Sequence, residues 1–156
     1  MATLVPKNPV IVKSGSQPVK IYLPAAASKT WKAGEFAKVA SGLVSPVVSD
    51  EVDIKYYLLK DQDTATSSGD LVACVLVTAD MIFEGFELNG TVTTANIGIN
   101  YALDVSSNIV TVDVDDVSND CVKITEIAST YEPSRHTTAD VKAKVRFRFI
   151  QSVLDA

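Results

Sequence analysis

The residues in this sequence best equipped for chemistry are acidic. The run DVDDVSND, from Asp113 to Asp120, has the oxygen density of a calcium loop. With Asp113 as the first loop position, Asp115 stands third, Val117 fifth, Ser118 sixth and Ile124 twelfth. An EF-hand needs an oxygen ligand, a glycine and a bidentate glutamate at those last three positions, so the match fails. A looser site could be assembled from Asp115, Asp116 and Asp120. A solvated acidic loop between strands accounts for the same residues without an ion, and no metal is expected. Asp50 with Glu51, and Asp115 with Asp116, supply paired carboxylates of the kind glycoside hydrolysis uses. Adjacent residues on a strand point to opposite faces, so neither pair makes a catalytic couple.

Nucleophilic chemistry lacks its partners as well. The one histidine, His136, lies in the polar stretch PSRHTTAD beside Arg135, and no GxSxG elbow or comparable nucleophile is present. Zinc would need more His or Cys than the chain owns. Cys74 sits inside the apolar run LVACVLV and reads as a buried thiol, while Cys121 follows Asn119-Asp120 at an expected strand start. They stand 47 positions apart, which makes neither a metal spacing nor a disulfide framework and fits a reduced, cytosolic site of synthesis. No glycine-rich phosphate loop appears. The stripe VKAKVRFRF alternates basic residues with two Phe, but stacking on single-stranded nucleic acid needs aromatic and basic groups on one face. The expectation is a protein that is not an enzyme, holds no cofactor and binds no nucleic acid.

These residues must be carried by strands. Val, Ile and Thr number 22, 10 and 13, or 45 of 156 residues, and β-branched side chains pack well on a pleated surface. The fold class expected is mainly β, in one domain of ordinary size. No apolar run approaches the length of about 18 residues that a membrane helix needs. The opening MATLVPKNPV shows neither the apolar core nor the cleavage pattern of a secretory leader. Residues 1–18 hold Pro6, Pro9 and Pro18 around the short apolar stretch Val10–Val12, which predicts an extended, edge-like arm. Residues 19–156 are expected to form the β-rich domain.

Along that domain, Val19, Ile21 and Leu23 should share one strand face, opposite Lys20 and Tyr22, until Pro24. The stretch KTWKAGEFAKVASGLVSPVV predicts two short strands with turns at Lys32–Glu35 and Ala40–Gly42, anchored by Trp31 and Phe36. A short helix from Ser28 is an open alternative. TATSSGD is a surface turn, and LVACVLVTA a strand buried on both faces. Gly85 predicts a bulge or tight bend. Asn89-Gly90 signals a hairpin between Phe86–Leu88 and Thr91–Thr93. A second hairpin should run from Gly98–Tyr101 through Ser106–Asn108 to Ile109–Val114.

Charge is segregated along the chain. Residues 1–40 sum to +5, residues 41–134 to −13 and residues 135–156 to +3, for a total of −5. Basic ends on an acidic body suggest attachment to an acidic surface on a sister copy or a partner. The alternative is that the ends fold back on their own body. Within the segments, Val110, Val112 and Val114 alternate with Thr111, Asp113 and Asp115, while Val141, Ala143, Val145, Phe147 and Phe149 alternate with Lys142, Lys144, Arg146 and Arg148. Opposite charges across a sheet contribute about 0.2–1 kcal/mol per pair. Asp113 and Asp115 could thus form a ladder with Lys144 and Arg146 on neighbouring strands, or the basic stripe could face a partner.

The AGE-hydrophobic opening in KTWKAGEFAKVASGLVSPVV, with the later SSGDLVACVLVTADMIFEGFEL, resembles the decoration (cement) proteins of tailed-bacteriophage capsids. The segment GINYALDVSSNIVTVDVDDVSNDCVKITEI is similar to their Gly-x-x-Tyr-x-Leu, turn, Val-Asp, Asn-Asp-x-x-Lys pattern, and VRFRFIQSVLDA to their basic strand and apolar tail. The resemblance spans about residues 30–155. The acidic content between 50 and 70 and the long proline-bearing arm depart from it. The resemblance implies a single compact β-barrel or β-sandwich-like (tulip-like) domain, often a trimer, seated outside an icosahedral shell and bridging major capsid proteins. Localisation would be the virion exterior, after synthesis in host cytoplasm. In that setting Thr3, Leu4, Val5, Lys7, Val10, Ile11, Val12 and Lys13 would add a strand to a partner's sheet and meet its acidic surface. Deleting residues 1–12 would then abolish capsid binding and leave the fold intact. A tail-tube or head-fibre subunit, or a β-sandwich carbohydrate-binding or adhesin module, are the competing classes.

Overall fold

The computed structural model describes residues 6–15, 17–132 and 143–154. Their strands are β1 (Val10–Lys13), β2 (Lys20–Pro24), β3 (Phe36–Ala40), β4 (Leu43–Pro46), β5 (Tyr56–Leu58), β6 (Leu71–Leu76), β7 (Ile82–Phe86), β8 (Asn100–Ser106), β9 (Ile109–Asp113), β10 (Val122–Ile127) and β11 (Lys144–Phe149). A 3-10 turn at Thr94–Asn96 and two single-turn helices, α1 (Ala128–Tyr131) and α2 (Gln151–Leu154), complete the list. The fold is mainly β, as the β-branched composition requires. One sheet has six strands in the order β1-β7-β11-β10-β8-β9, the other five in the order β2-β6-β5-β3-β4. Every strand pairing is antiparallel.

Neither sheet is a closed barrel, which corrects the barrel expectation. The five-stranded sheet curls until its two ends touch at one isolated parallel bridge, Ala25 to Val44, whereas in the six-stranded sheet the residue after β7, Glu87, makes an isolated parallel bridge to Val112 of the edge strand β9. The curl explains why β6 is apolar throughout. Val72 and Cys74 face a small core inside the curled five-stranded sheet, with Trp31, Ala37, Val44 and Leu58. Val75 faces the larger core that both sheets share. Only the strand's ends surface, with Leu71 69% and Leu76 50% exposed. In the shared core, Phe36 of β3 meets Phe83 of β7 at 5.1 Å and Phe149 of β11 at 4.8 Å between ring centres, edge to face.

Turn chemistry sets the hairpins. Ser107 and Asn108 have φ of +51° and +63° between β8 and β9, the mirror-image geometry that matches strand twist. Ser41 and Gly42, at +51° and +76°, join β3 to β4. Four local expectations are corrected. Asn89-Gly90 makes no hairpin: the Glu87 carboxylate accepts the N–H groups of Asn89 at 2.7 Å and Thr91 at 3.0 Å, leading the chain into the 3-10 turn. Gly85 is no bulge, since β7 pairs with β11 in unbroken register from Phe83 to Phe86. A Cβ there would lie 3.2 Å from Pro9 and 3.3 Å from Phe147, so the glycine permits close packing. Val19 leaves the inner face and is 70% exposed. Ser28 sits in a turn at φ +61°, and no helix starts there.

Candidate functional site

Of the proposed partner-binding residues, Thr3, Leu4 and Val5 lie outside the described residues, and Lys7 is exposed. Val10, Ile11, Val12 and Lys13 form β1 at the rim of the six-stranded sheet, where Val10 faces Glu84 and Ile11 faces Phe83 of β7. From Asn8 onward the segment is therefore part of the domain and not a free arm. The reason is visible residue by residue. Ile11 packs against the shared core, Pro9 is buried, and Tyr57 Oη donates to the Pro9 carbonyl at 2.7 Å. Asn8 does more. Its Oδ1 accepts the Val110 N–H at 2.8 Å, and its Nδ2 donates to the carbonyls of Asn108 at 2.9 Å and Ala33 at 3.1 Å. The side-chain amide thus serves the edge of β9 as a neighbouring strand's peptide would. Outside this anchor, Val10 and Val12 are 52% and 40% exposed, Lys13 is exposed, and among the described residues no strand pairs with the outer edge of β1.

The charge ladder forms with different acids. Arg146 stands opposite Glu84 on β7 and Glu126 on β10, with nitrogen-to-oxygen distances of 3.3 Å and 3.8 Å. Lys144 lies 3.9 Å from Glu84. The Arg146 guanidinium also sits 4.1 Å from the Tyr131 ring centre, a cation–π contact. Asp113 instead faces Ala102 of β8, and β10 and β8 stand between it and β11. Asp115 accepts the Asn89 side-chain amide at 2.9 Å. The intramolecular pairing of Asp113 and Asp115 with Lys144 and Arg146 is corrected accordingly.

Asp113 belongs to an acidic corner. The Asp50 N–H bonds the Leu103 carbonyl, and the Ala102 N–H bonds that of Asp116, both at 3.0 Å, which brings these carboxylates near one another. A hydrogen bond to Asp116 pushes the Asp50 carboxyl up, with burial and the charges of Asp116, Asp113 and Asp104 adding to it. Asp116 is held down at about 2, chiefly by the Ser118 hydroxyl and N–H. At the tip, Val117 is 62% exposed. Among the described residues no three His, Cys, Asp or Glu side chains come together in a set able to hold a metal ion, so the looser calcium site of Asp115, Asp116 and Asp120 is not assembled.

A cleft that no local pattern announced opens on the five-stranded sheet. It holds about 170 Å³ and is lined by Tyr22, Trp31, Lys60, Asp61 and Leu71 among others. Trp31 forms its floor, 3% exposed, with Nε1 donating to the Lys60 carbonyl at 2.9 Å. Lys20 Nζ lies 5.3 Å from the Tyr22 ring centre.

Among the described residues, two carboxylates are buried. Glu87, fully enclosed, is pushed up by burial against the N–H groups of Thr91, Asn89 and Gly90. Glu35, 2% exposed, accepts the Lys32 N–H at 2.6 Å, and burial raises it from 4.5 to about 7. The folded state therefore binds more protons than the unfolded state between those values. This contribution favours folding fully below about pH 4.5 and is lost as pH rises through about 7. Glu35→Gln keeps the acceptor and removes the charge. At pH 8 the variant should be more stable than the parent by roughly 2–3 kcal/mol, the gap closing as pH falls toward 4.5. Urea titrations across that range check it, and a constant gap would contradict it.

The cysteines are inert by environment. Both are free and buried; burial raises Cys74 and pushes Cys121 up to about 12, far from the thiolate a nucleophile needs. His136 lies outside the described residues. Compared with protein-family models, with curated proteins and with solved structures, the chain matches none.

Proposed function

We propose that this chain is a structural subunit of a tailed-phage virion, seated on the outside of the icosahedral capsid, where it bridges neighbouring major capsid proteins. The observation that carries the reading is β1. It is a rim strand whose outer edge is unpaired among the described residues, with Val10, Val12 and Lys13 exposed along it and Lys7 exposed before it. A strand from a partner can extend such an edge, with backbone hydrogen bonds supplying affinity and side chains supplying selection. The lysines would meet acidic groups on the shell. Several copies joined as an oligomer, a trimer in the resemblance, would gain avidity of about 10²–10⁴ without any better single contact.

Quantitative mass spectrometry of purified particles tests the placement. A ratio to the major shell protein near one to one supports it, whereas a handful of copies per particle would move the chain to tail or fibre. Absence from particles overturns the reading. Lys7→Glu/Lys13→Glu tests the surface. Both side chains are exposed, so the melting temperature should hold while shell affinity falls about tenfold at low salt, the loss shrinking as salt screens the contact. Equal affinity of parent and variant in a pull-down with empty shells would remove β1 from the interface.

A further inference from the structure

We propose that the outer face of the six-stranded sheet binds an acidic peptide segment of a partner protein, laid across the strands along a row of basic residues at Lys13, Arg148 and Lys123. Strand pairing builds the row. Ile11, Phe83, Phe147 and Ile124 pack in or against the shared core, so their neighbours in the pleat take the outer face. On that face Lys13, past the register shift in β1, stands opposite Ile82 of β7. Phe147 lies opposite Phe83, which puts Arg148 on the other side of Ile82. Arg148 in turn faces Lys123 of β10, and Lys123 faces Asn100 of β8. Lys13 and Arg148 are exposed and Lys123 is half-buried. None of the three has an ion-pair partner among the described residues.

Like charges directly opposite one another weaken a sheet, and Arg148 with Lys123 is such a pair. The adjacent row shows the contrast. There Arg146 lies between Glu84 and Glu126, and Lys144 shares Glu84, so those charges are matched within the chain. Asp80, which lies against Gly15 after β1, accepts the Thr78 hydroxyl. The unmatched row therefore calls for anions from outside. Strands stand about 4.8 Å apart, so Lys13 and Lys123, three strands apart, span about 14 Å. An extended peptide covers that distance in about five residues, with alternate side chains on one side about 7 Å apart. Acids at those alternate positions would meet the row. Nucleic acid suits the surface less. The row holds no aromatic platform for bases, and the −13 net charge of residues 41–134 repels a polyanion. The partner's identity as the shell rests on the virion reading, since Lys13 belongs to both surfaces. Arg148 and Lys123, however, lie two and three strands in from β1, so variants there leave its outer edge untouched.

Fluorescence anisotropy of a labelled oligo-glutamate peptide, titrated with the full chain at low and high salt, reads the contact. The parent should bind, and affinity should fall at least tenfold at high salt. Arg148→Glu turns the like pair into an opposite one. It should melt no lower than the parent while binding the peptide at least tenfold more weakly. Lys123→Gln, which removes one charge from the other side of the pair, should weaken binding severalfold. Lys60→Glu, at an exposed position beside the five-stranded sheet, should bind like the parent. A peptide that does not bind the parent, Arg148→Glu and Lys123→Gln binding like the parent, or an equal loss in Lys60→Glu would each overturn the proposal. Tighter binding of a single-stranded DNA oligonucleotide of the same charge would overturn it in favour of nucleic acid. Pull-down with empty shells separates this surface from the capsid role. Peptide binding without shell binding would keep the row and remove the capsid, and shell binding without peptide binding would do the reverse.

Discussion

Phe83→Ala is expected to destabilise the protein by about 3–5 kcal/mol, the range for truncating a fully buried phenylalanine. The side chain is 0% exposed and sits where the two sheets meet. Its ring lies 5.1 Å from Phe36 and 5.6 Å from Tyr57 on the five-stranded side. On its own sheet it lies 5.8 Å from Phe147 and 5.6 Å from Phe149. Truncation removes the transfer energy of the ring and leaves a cavity that its four aromatic neighbours, two on β11 and two on the opposing sheet, cannot close together. The edge-to-face contacts add about 0.5–1.5 kcal/mol per pair beyond area. Against a total stability of about 5–15 kcal/mol, the loss should lower the melting temperature by roughly 10 °C or more. Urea unfolding followed through Trp31 should show a lower midpoint with an unchanged slope. Phe83→Leu, which refills much of the space, should cost less than half as much. A cost below about 1.5 kcal/mol for the alanine variant would mean that the rings do not join the sheets.

The second large effect comes from a side chain with no apolar burial to lose. Asn8→Ala removes the acceptor of the Val110 N–H and the donor to two carbonyls. At about 0.5–1.5 kcal/mol net for each bond, with a further penalty where a half-buried group is left unpaired, the expected cost is about 2–4 kcal/mol. Asn8→Asp separates the roles, because a carboxylate still accepts from Val110 but cannot donate to Asn108 and Ala33. It should be nearly as destabilising as alanine. The same geometry revises the expectation for truncation. Removing residues 1–7 leaves these bonds in place and should keep the fold, whereas removing residues 1–12 takes away Asn8, Pro9 and most of β1. That deletion should lower stability before any effect on binding can be read. Chemical denaturation of the two truncations decides the matter: equal midpoints would show that β1 adds nothing to the domain.

The unlike fates of Arg146 and Asn89-Gly90 show how far residue order alone reaches here. Alternation across residues 141–149 correctly put Val145, Phe147 and Phe149 inside and Arg146 outside, because the pleat imposes a period of two whatever the neighbours are. For the same local reason Ser107-Asn108 turned the chain as expected, and Trp31 and Phe36 went to the interior. Which acid faces Arg146 was not local. It follows from β11 lying between β7 and β10, and the alternation of β9 fits many partners equally well. Asn89-Gly90 has the local preference for a hairpin, but the buried Glu87 carboxylate accepts the N–H groups of Asn89 and Thr91 and overrides it. No residue pattern marks Asn8 either, since its partners lie 25 to 102 positions away. The sequence by itself determined a mainly β chain, the inner face of β11 and several turns, all set by sterics within a few residues, whereas β9 buries Thr111 along with Val110 and Val112 against the alternation expected of it. Strand order, the seating of β1, the acids of the ladder and the alignment of Lys13, Arg148 and Lys123 in one row were decided by tertiary structure, because each depends on which distant edges meet.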